Sequence, residues 1–231
     1  MFLRATNARR RSEAGQKVSE RFPRDHRGTW TGAADPSEER HFPQGIPSVR
    51  RLLHYGHSTR VWHENRDMAT RLLLISDTHI PARAPRLPDP VRKAADTADL
   101  VIHAGDWVAA SVLDELEQHA DVLGVWGNND GADLRRRLAE VARRRIDGVR
   151  FAVVHETGQA TGREMRMDAA YPDVDVLVFG HSHIPWDTVT PGGMRLLNPG
   201  SPTDRRRQPL CTMMTAVVDD GRLRDVELVA L

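Results

Sequence analysis

Thiol is almost absent: Cys211 is the single cysteine in 231 residues. A disulfide framework and a thiolate zinc cage are both excluded within one chain. A reducing cytoplasm is the compartment this implies. No stretch is long and apolar enough to span a bilayer, so no membrane role is expected. The opening Met1-Phe2-Leu3-Arg4 lacks the apolar core of a signal peptide. Net charge is also nearly missing, +1 with histidine neutral, and it makes no global demand for nucleic acid. What is present is a 39% hydrophobic fraction, enough for a globular core. The length suits one domain plus an appendage.

Residues 1–67 read as the appendage, a disordered extension of basic and polar character. Apolar residues are scattered there without period, so too little apolar surface is buried to offset the ordering entropy. Residues 49–55 are a candidate transient helix. Arg9-Arg10-Arg11 is diluted by Glu13, Glu20, Asp25, Glu38 and Glu39, which favours a solvated tail over a nucleic-acid arm. His54, His57 and His63 lack a rigid scaffold and read as surface residues. The folded pattern begins near Met68, which makes Met68 a candidate natural start. Mass spectrometry of the native amino terminus decides that.

Residues 68–231 read as one α/β domain. Leu72-Leu73-Leu74-Ile75 is a short apolar run, the mark of a strand buried on both faces. It ends in Asp77-Thr78-His79. On an extended chain, residues two apart leave the same face, so Asp77 and His79 are expected to point one way. A helix follows from Asp89-Pro90 to about Asp96. The strand Leu100 to Ile102 ends in His103-Ala104-Gly105-Asp106. A helix from Ala110 to His119 carries Val112, Leu113 and Leu116 on one face. A strand from Asp121 to Trp126 ends in Gly127-Asn128-Asn129-Asp130, and a basic helix covers Ala132 to Ala139. This alternation predicts right-handed βαβ units. A hairpin then turns at Asp147-Gly148 and ends at His155. A helix is expected from about Glu164 to Ala170. The strand Val174 to Phe179 ends in Gly180-His181-Ser182-His183. Short strands flank Pro191-Gly192-Gly193, and a last hairpin turns at Asp220-Gly221. The expected fold class is a two-sheet α/β/β/α sandwich.

Asp77, His79, Asp106, Asn128, His155, His181 and His183 all follow strands. Each has a bland reading. Asp106 alone reads as a helix cap, Asn128 as a turn residue and His155 as a buried core histidine. His103 reads as a packing or hydrogen-bonding residue near the site. Together the seven make a set of oxygen and imidazole donors. Such a set suits Mn²⁺, Fe²⁺, Ni²⁺ or Zn²⁺ better than Ca²⁺. Seven donors exceed the needs of one ion and suit two that share a carboxylate.

In this order the motifs resemble the calcineurin-like metallophosphoesterases, and within them the small YfcE-like phosphodiesterases. Asp77-Thr78-His79, Gly105-Asp106, Gly127-Asn128-Asn129-Asp130, His155 and Gly180-His181-Ser182-His183 match that family's blocks, and Asn198-Pro199-Gly200-Ser201 matches the subgroup's closing motif. The resemblance covers residues 68–231. It implies one ion held by Asp77, His79, Asp106 and His183, and a second by Asp106, Asn128, His155 and His181. Mn²⁺ is the first candidate, and the implied reaction is phosphodiester hydrolysis by a hydroxide between the two ions. The implied substrate is a small phosphodiester or a nucleotide. A homo-oligomer is left open.

Asn129 stands where many members have a histidine that assists the leaving group. Asn129 donates a hydrogen bond but cannot act as a general acid, so slower chemistry or good leaving groups are expected. Asp130 either orients that position or caps the next helix. Ile80 replaces a common glycine and is expected to narrow the loop over the first ion. Arg205 and Arg206 are phosphate-binding candidates, with a solvated basic loop as the equal alternative. Trp107 either lines the pocket or packs in the core. The contrasting function is a metal-free protein-interaction module on the same scaffold, whose mark is lost ligands. No ligand position is lost here.

Overall fold

The computed structural model describes residues 69–231. The expectations for the extension, His54, His57 and His63 included, lie outside the described residues.

Ten strands and four helices follow in the order β1 (Thr70–Ile75), α1 (Asp89–Thr97), β2 (Leu100–His103), α2 (Ala110–His119), β3 (Asp121–Gly124), α3 (Ala132–Arg137), β4 (Val141–Ile146), β5 (Val149–Val154), α4 (Arg163–Ala170), β6 (Val176–Val178), β7 (Trp186–Val189), β8 (Arg195–Asn198), β9 (Thr212–Asp219) and β10 (Arg222–Ala230). They form two five-stranded sheets, ordered β10-β9-β1-β2-β3 and β4-β5-β6-β8-β7. The centres are parallel, β1 with β2 and β3, and β5 with β6 and β8. The hairpin strands at the edges run antiparallel.

Strand alternation explains the layers. Leu72 and Leu74 point between the sheets and meet Phe151, Val153, Val176 and Val178. Leu73 and Ile75 point the other way, onto Val91 of α1 and Val112, Leu113 and Leu116 of α2. The second sheet's outer face packs Ala152, Val154 and Leu177 against Met167 of α4. Both faces of β1 are therefore covered, which is why its sequence is continuously apolar. This is the α/β/β/α sandwich that the alternation implies.

Both hairpin turns carry positive φ at each central residue: Asp147 and Gly148 at 41° and 85°, Asp220 and Gly221 at 49° and 68°. That is the twist-matched hairpin turn for which Asp-Gly is suited. Three boundaries differ from expectation. β3 stops at Gly124, because Val125 bridges to Ala139 instead. The same pairing ends α3 at Arg137, since Leu138 is already extended. β6 is only Val176–Val178.

Candidate metal centre

The turns after β1, β2, β3, β5 and β6 converge at one end of the two sheets. There the side chains form two groups, Asp77 with His79 and His183, and Asp106 with His155 and His181. In the first, His183 Nε2 lies 3.2 Å from His79 Nε2 and 3.3 Å from Asp77 Oδ1. In the second, Asn128 Oδ1 lies 2.9 Å from His155 Nε2 and 3.0 Å from His181 Nδ1. Asp106 joins the groups: its Oδ2 is 3.3 Å from His155 Nε2 and 3.6 Å from His79 Nε2. All seven selected donors thus share one site. Five of them are buried, whereas Asn128 is exposed and His181 keeps a side chain 48% exposed.

The backbone reason for the convergence is not the expected one. Asp77, His79, Asp106, His181 and His183 all have left-handed φ, between 45° and 68°. They are five of the ten described non-glycine residues with positive φ. The loops are coiled, not extended, so same-face alternation is not what aims Asp77 and His79. His181 and His183 even serve different groups. Each such φ costs roughly 1–3 kcal/mol and persists only where surrounding contacts over-determine it.

Those contacts are identifiable. Asp77 Oδ2 accepts the His181 amide at 2.9 Å and lies 2.8 Å from the Ser76 hydroxyl. Ser201 Oγ donates to the Asp77 carbonyl at 2.7 Å, and Thr203 Oγ1 to the Thr78 carbonyl at 2.6 Å. Asn198 Nδ2 donates to the Gly180 carbonyl at 2.9 Å. The closing motif therefore pins the loops that carry four of the donors. By sequence alone, Asn198 and Ser201 are legible only as a motif. A polar cluster following a strand was the one available signal, and it does not say which loops are held.

Hydrogen bonds fix the imidazole tautomers. His155 Nδ1 sits 2.7 Å from the Ala104 carbonyl and His183 Nδ1 2.6 Å from the Asp204 carbonyl. A carbonyl only accepts, so both Nδ1 atoms carry hydrogen, and it is Nε2 of each ring that can offer a lone pair to the site. The site thus gathers carboxylate, amide-oxygen and imidazole lone pairs at contact distance. Acceptors this close repel one another unless a cation or proton lies between them. The donor set fits two divalent ions of borderline hardness.

The side chains of the site also respond to one another's charge. Burial raises the Asp106 pKa, but bonds from His155 and Asn129 outweigh it and hold the carboxyl ionised. Burial lowers the His155 pKa, and the bond and charge of Asp106 reverse the direction to a net rise. Burial lowers His79 in spite of Asp106 and Asp77.

Four expectations need correction. Asp130 neither orients Asn129 nor caps α3, whose N-cap is Gly131. Its carboxylate instead accepts the amides of Gly127 at 2.7 Å, Val108 at 2.7 Å and Asp106 at 3.1 Å. It clamps two ligand loops together. Replacing Asp130 with alanine leaves three amides unpaired. The variant should lose about 3 kcal/mol in urea unfolding. Asn129 directs its side-chain amide onto Asp106 Oδ2 at 2.6 Å, with its backbone amide on Oδ1 at 2.8 Å. It holds the shared carboxylate. Ile80 is buried in the helix-side core and bridges Val108, so its side chain does not narrow the site. Arg205 turns to the Gln208 carbonyl of its own loop, whereas Arg206 reaches the His181 carbonyl at 3.3 Å.

Trp107 and His103 are core residues. Their rings stack 3.5 Å apart, and Trp107 Nε1 donates to the Val125 carbonyl at 2.7 Å. His103 Nδ1 accepts the Gly105 amide at 3.2 Å, so Nε2 carries hydrogen toward Thr78 Oγ1. Burial pushes its pKa well below the ordinary value, so the ring is neutral.

Residues 70–221 match the model of the calcineurin-like phosphoesterase superfamily domain. The chain belongs to that superfamily. It is 37% identical over 160 residues to a Methanothermobacter thermautotrophicus protein named "probable metallophosphoesterase", covering 68% of this chain and 90% of the other. It is 29% identical over 127 residues to a phosphodiesterase of Methanocaldococcus jannaschii, covering 48% of this chain and 71% of the other. Among solved structures, the NMR structure of a Thermotoga maritima protein has TM-score 0.57 and 33% identity. That match covers 70% of this chain and 99% of the other. No described helix of this phosphoesterase-superfamily chain is long and apolar enough to cross a membrane.

Proposed function

We propose that this superfamily member is a dinuclear metal-dependent phosphodiesterase. One observation carries the reading: the Asp106 carboxylate lies between two donor groups, in hydrogen-bond or near-contact distance of each. Asp77, His79, Asp106 and His183 would hold one ion, and Asp106, Asn128, His155 and His181 the other. Divalent ions held there lower the pKa of coordinated water and neutralise charge on phosphoryl oxygens. Mn²⁺ is the first candidate, with Ni²⁺, Fe²⁺ and Zn²⁺ behind it. The chain's own part is positioning. Ser201, Thr203 and Asn198 fix the loops, Asp130 locks Gly127 to Asp106, and Asn129 orients the shared carboxylate. Arg206 is the candidate for a phosphoryl oxygen, since its guanidinium already lies at the site. The phosphodiesterase of M. jannaschii supports diesters as substrate. A single free cysteine suits a reducing cytoplasm.

No protein acid stands at Asn129, so the departing alcohol leaves without a proton from it. Aryl esters are therefore the better substrates. Asn129→Ala should weaken metal affinity about 10- to 100-fold, because the oriented carboxylate is released. Calorimetric titration with Mn²⁺ measures it.

The central test is metal-free protein reconstituted with Mn²⁺, Ni²⁺, Zn²⁺ or Mg²⁺ and assayed on an aryl diester and an aryl monoester. Turnover of the diester supports the proposal. Absence of turnover with every ion sinks it and leaves the interaction module, which no feature of the described residues favours.

A further inference from the structure

A cleft of about 310 Å³ opens beside the second donor group, with Asn128 and His155 in its lining. It runs outward between the end of β3, the start of β4 and the residue following α4. Six side chains give it its chemistry: Trp126, Arg135, Glu140, Val141, Glu156 and Tyr171. The chain has five tryptophans and two tyrosines, and one of each stands here, both half-buried. Trp126 belongs to none of the apolar clusters, whereas Tyr171 packs at the edge of the α4-side core, with the Arg143 guanidinium 5.3 Å from its ring centroid.

Arg135 is not an anion receptor. Its guanidinium lies 4.0 Å over the Trp126 ring, while Nε donates to the Asp130 carbonyl at 2.8 Å and Nη2 to the Gly127 carbonyl at 3.2 Å. It stiffens the indole and ties it to the loop that carries Asn128. The remaining charges are the carboxylates of Glu140 and Glu156, both exposed. Neither is paired with lysine or arginine among the described residues. They repel an anionic substituent and accept hydrogen bonds from hydroxyl or amino groups. The two rings and Val141 favour a flat, weakly polar body. The volume sits at the small end of the roughly 300–1,000 Å³ span of small-ligand clefts. That suits one ring system with its sugar, not a polymer. Three arginines farther along β4 and β5 are committed too, Arg143 to Asp173, Arg144 to Asp121 and Arg150 to Asp175. Arg145 alone on those strands has no salt-bridge partner among the described residues, and a single cation makes no track for a nucleic-acid backbone.

We propose that this cleft is the subsite for one ester substituent of the substrate, and that the substituent is a nucleoside. The proposal rests on the phosphodiesterase reading. It adds that the substrate class is small nucleoside phosphodiesters, with the base between Trp126 and Tyr171 and hydroxyl or amino groups on Glu140 and Glu156.

The test uses the full chain loaded with Mn²⁺ and three diesters of one leaving group: p-nitrophenyl esters of thymidine 5′-phosphate, of phenyl phosphate and of methyl phosphate. The expected kcat/KM for the thymidine ester exceeds that for the methyl ester by about tenfold, the worth of one base stacked on an aromatic ring. In Tyr171→Ala and in Glu140→Gln the ratio falls toward one. Glu140→Gln changes only an exposed charge, so it decides the matter if Tyr171→Ala does not fold. Equal rates for the thymidine and methyl esters overturn the subsite. A phenyl ester as good as the thymidine ester overturns the nucleoside assignment. A second readout needs no metal: thymidine should quench tryptophan fluorescence of the metal-free chain, and Trp126→Phe should abolish that quenching. If all three esters are inert with every ion, the phosphodiesterase reading fails, and the quenching still decides the cleft. No quenching then removes the nucleoside as well.

Discussion

Asp106→Asn should lower kcat/KM for an aryl diester by on the order of a thousandfold, about 4 kcal/mol of barrier. It should also reduce bound metal from two ions per chain to one or none. Asp106 is singled out because its Oδ2 approaches both donor groups, 3.3 Å from His155 and 3.6 Å from His79. An asparagine keeps the shape but loses the charge and places an NH₂ where an acceptor stood. It also meets two donors already aimed at that position, the backbone and side-chain amides of Asn129. Either amide orientation sets N–H against an Asn129 N–H, and nitrogen in the place of Oδ2 also faces His79 and His155. Elemental analysis of dialysed protein, taken with far-ultraviolet circular dichroism, separates loss of metal from loss of fold. A folded variant with two ions and wild-type turnover would remove the shared-carboxylate role.

Much of this molecule is legible in its sequence, and the reason differs by element. Strands β1 and β2 announce themselves because both faces are covered, so no polar alternation interrupts the apolar run. Helix α2 matches its expected span end to end, since Val112, Leu113 and Leu116 make a single apolar stripe. The Asp-Gly turns fix two hairpins. The boundaries that moved are those set by long-range pairing, as where Val125 leaves β3 to bridge Ala139. Residue type and order were enough to collect the seven donors, because a ligand-grade side chain after every central strand is rare by chance. Their backbone was not legible. Left-handed φ at Asp77, His79, Asp106, His181 and His183 goes with partners distant in sequence, from Asn129 and Asp130 at Asp106 to Ser201 at Asp77, 124 residues away, and period-two reasoning carries no trace of that. Asp130 shows the same limit. A carboxylate before a helix reads as a cap, yet its three bonds go to backbone amides that only the fold brings near. The cleft of Trp126, Glu140 and Tyr171 had no local signature at all.

Gly127→Ala should be the most damaging of the single-methyl changes around the centre. A Cβ at Gly127 would collide with Asp106 Oδ1 and lie 2.5 Å from the Asp106 nitrogen and 2.9 Å from its Cγ. Relief by movement is blocked on both sides. The Gly127 amide is held by Asp130 at 2.7 Å and its carbonyl by Arg135 at 3.2 Å. Asp106 is held in turn by Asp130 and by Asn129. The methyl must therefore displace the shared carboxylate or break the Asp130 clamp. Forced overpacking of this kind costs roughly 1–3 kcal/mol of stability. Displacing the reacting geometry by about 1 Å costs on the order of a hundredfold in rate. Gly131 supplies the matched control. It lies four positions on, and a Cβ there meets nothing within 4 Å. Its φ of −78° is open to alanine as well. Gly131→Ala should bind metal and turn over diester within about twofold of wild type, a change worth less than about 0.5 kcal/mol. Equal behaviour of the two variants, in Mn²⁺ titration and in diester turnover, would mean that the close approach of Gly127 to Asp106 does not shape the centre. Loss confined to Gly127→Ala ties the absent side chain of one loop to the carboxylate of the next.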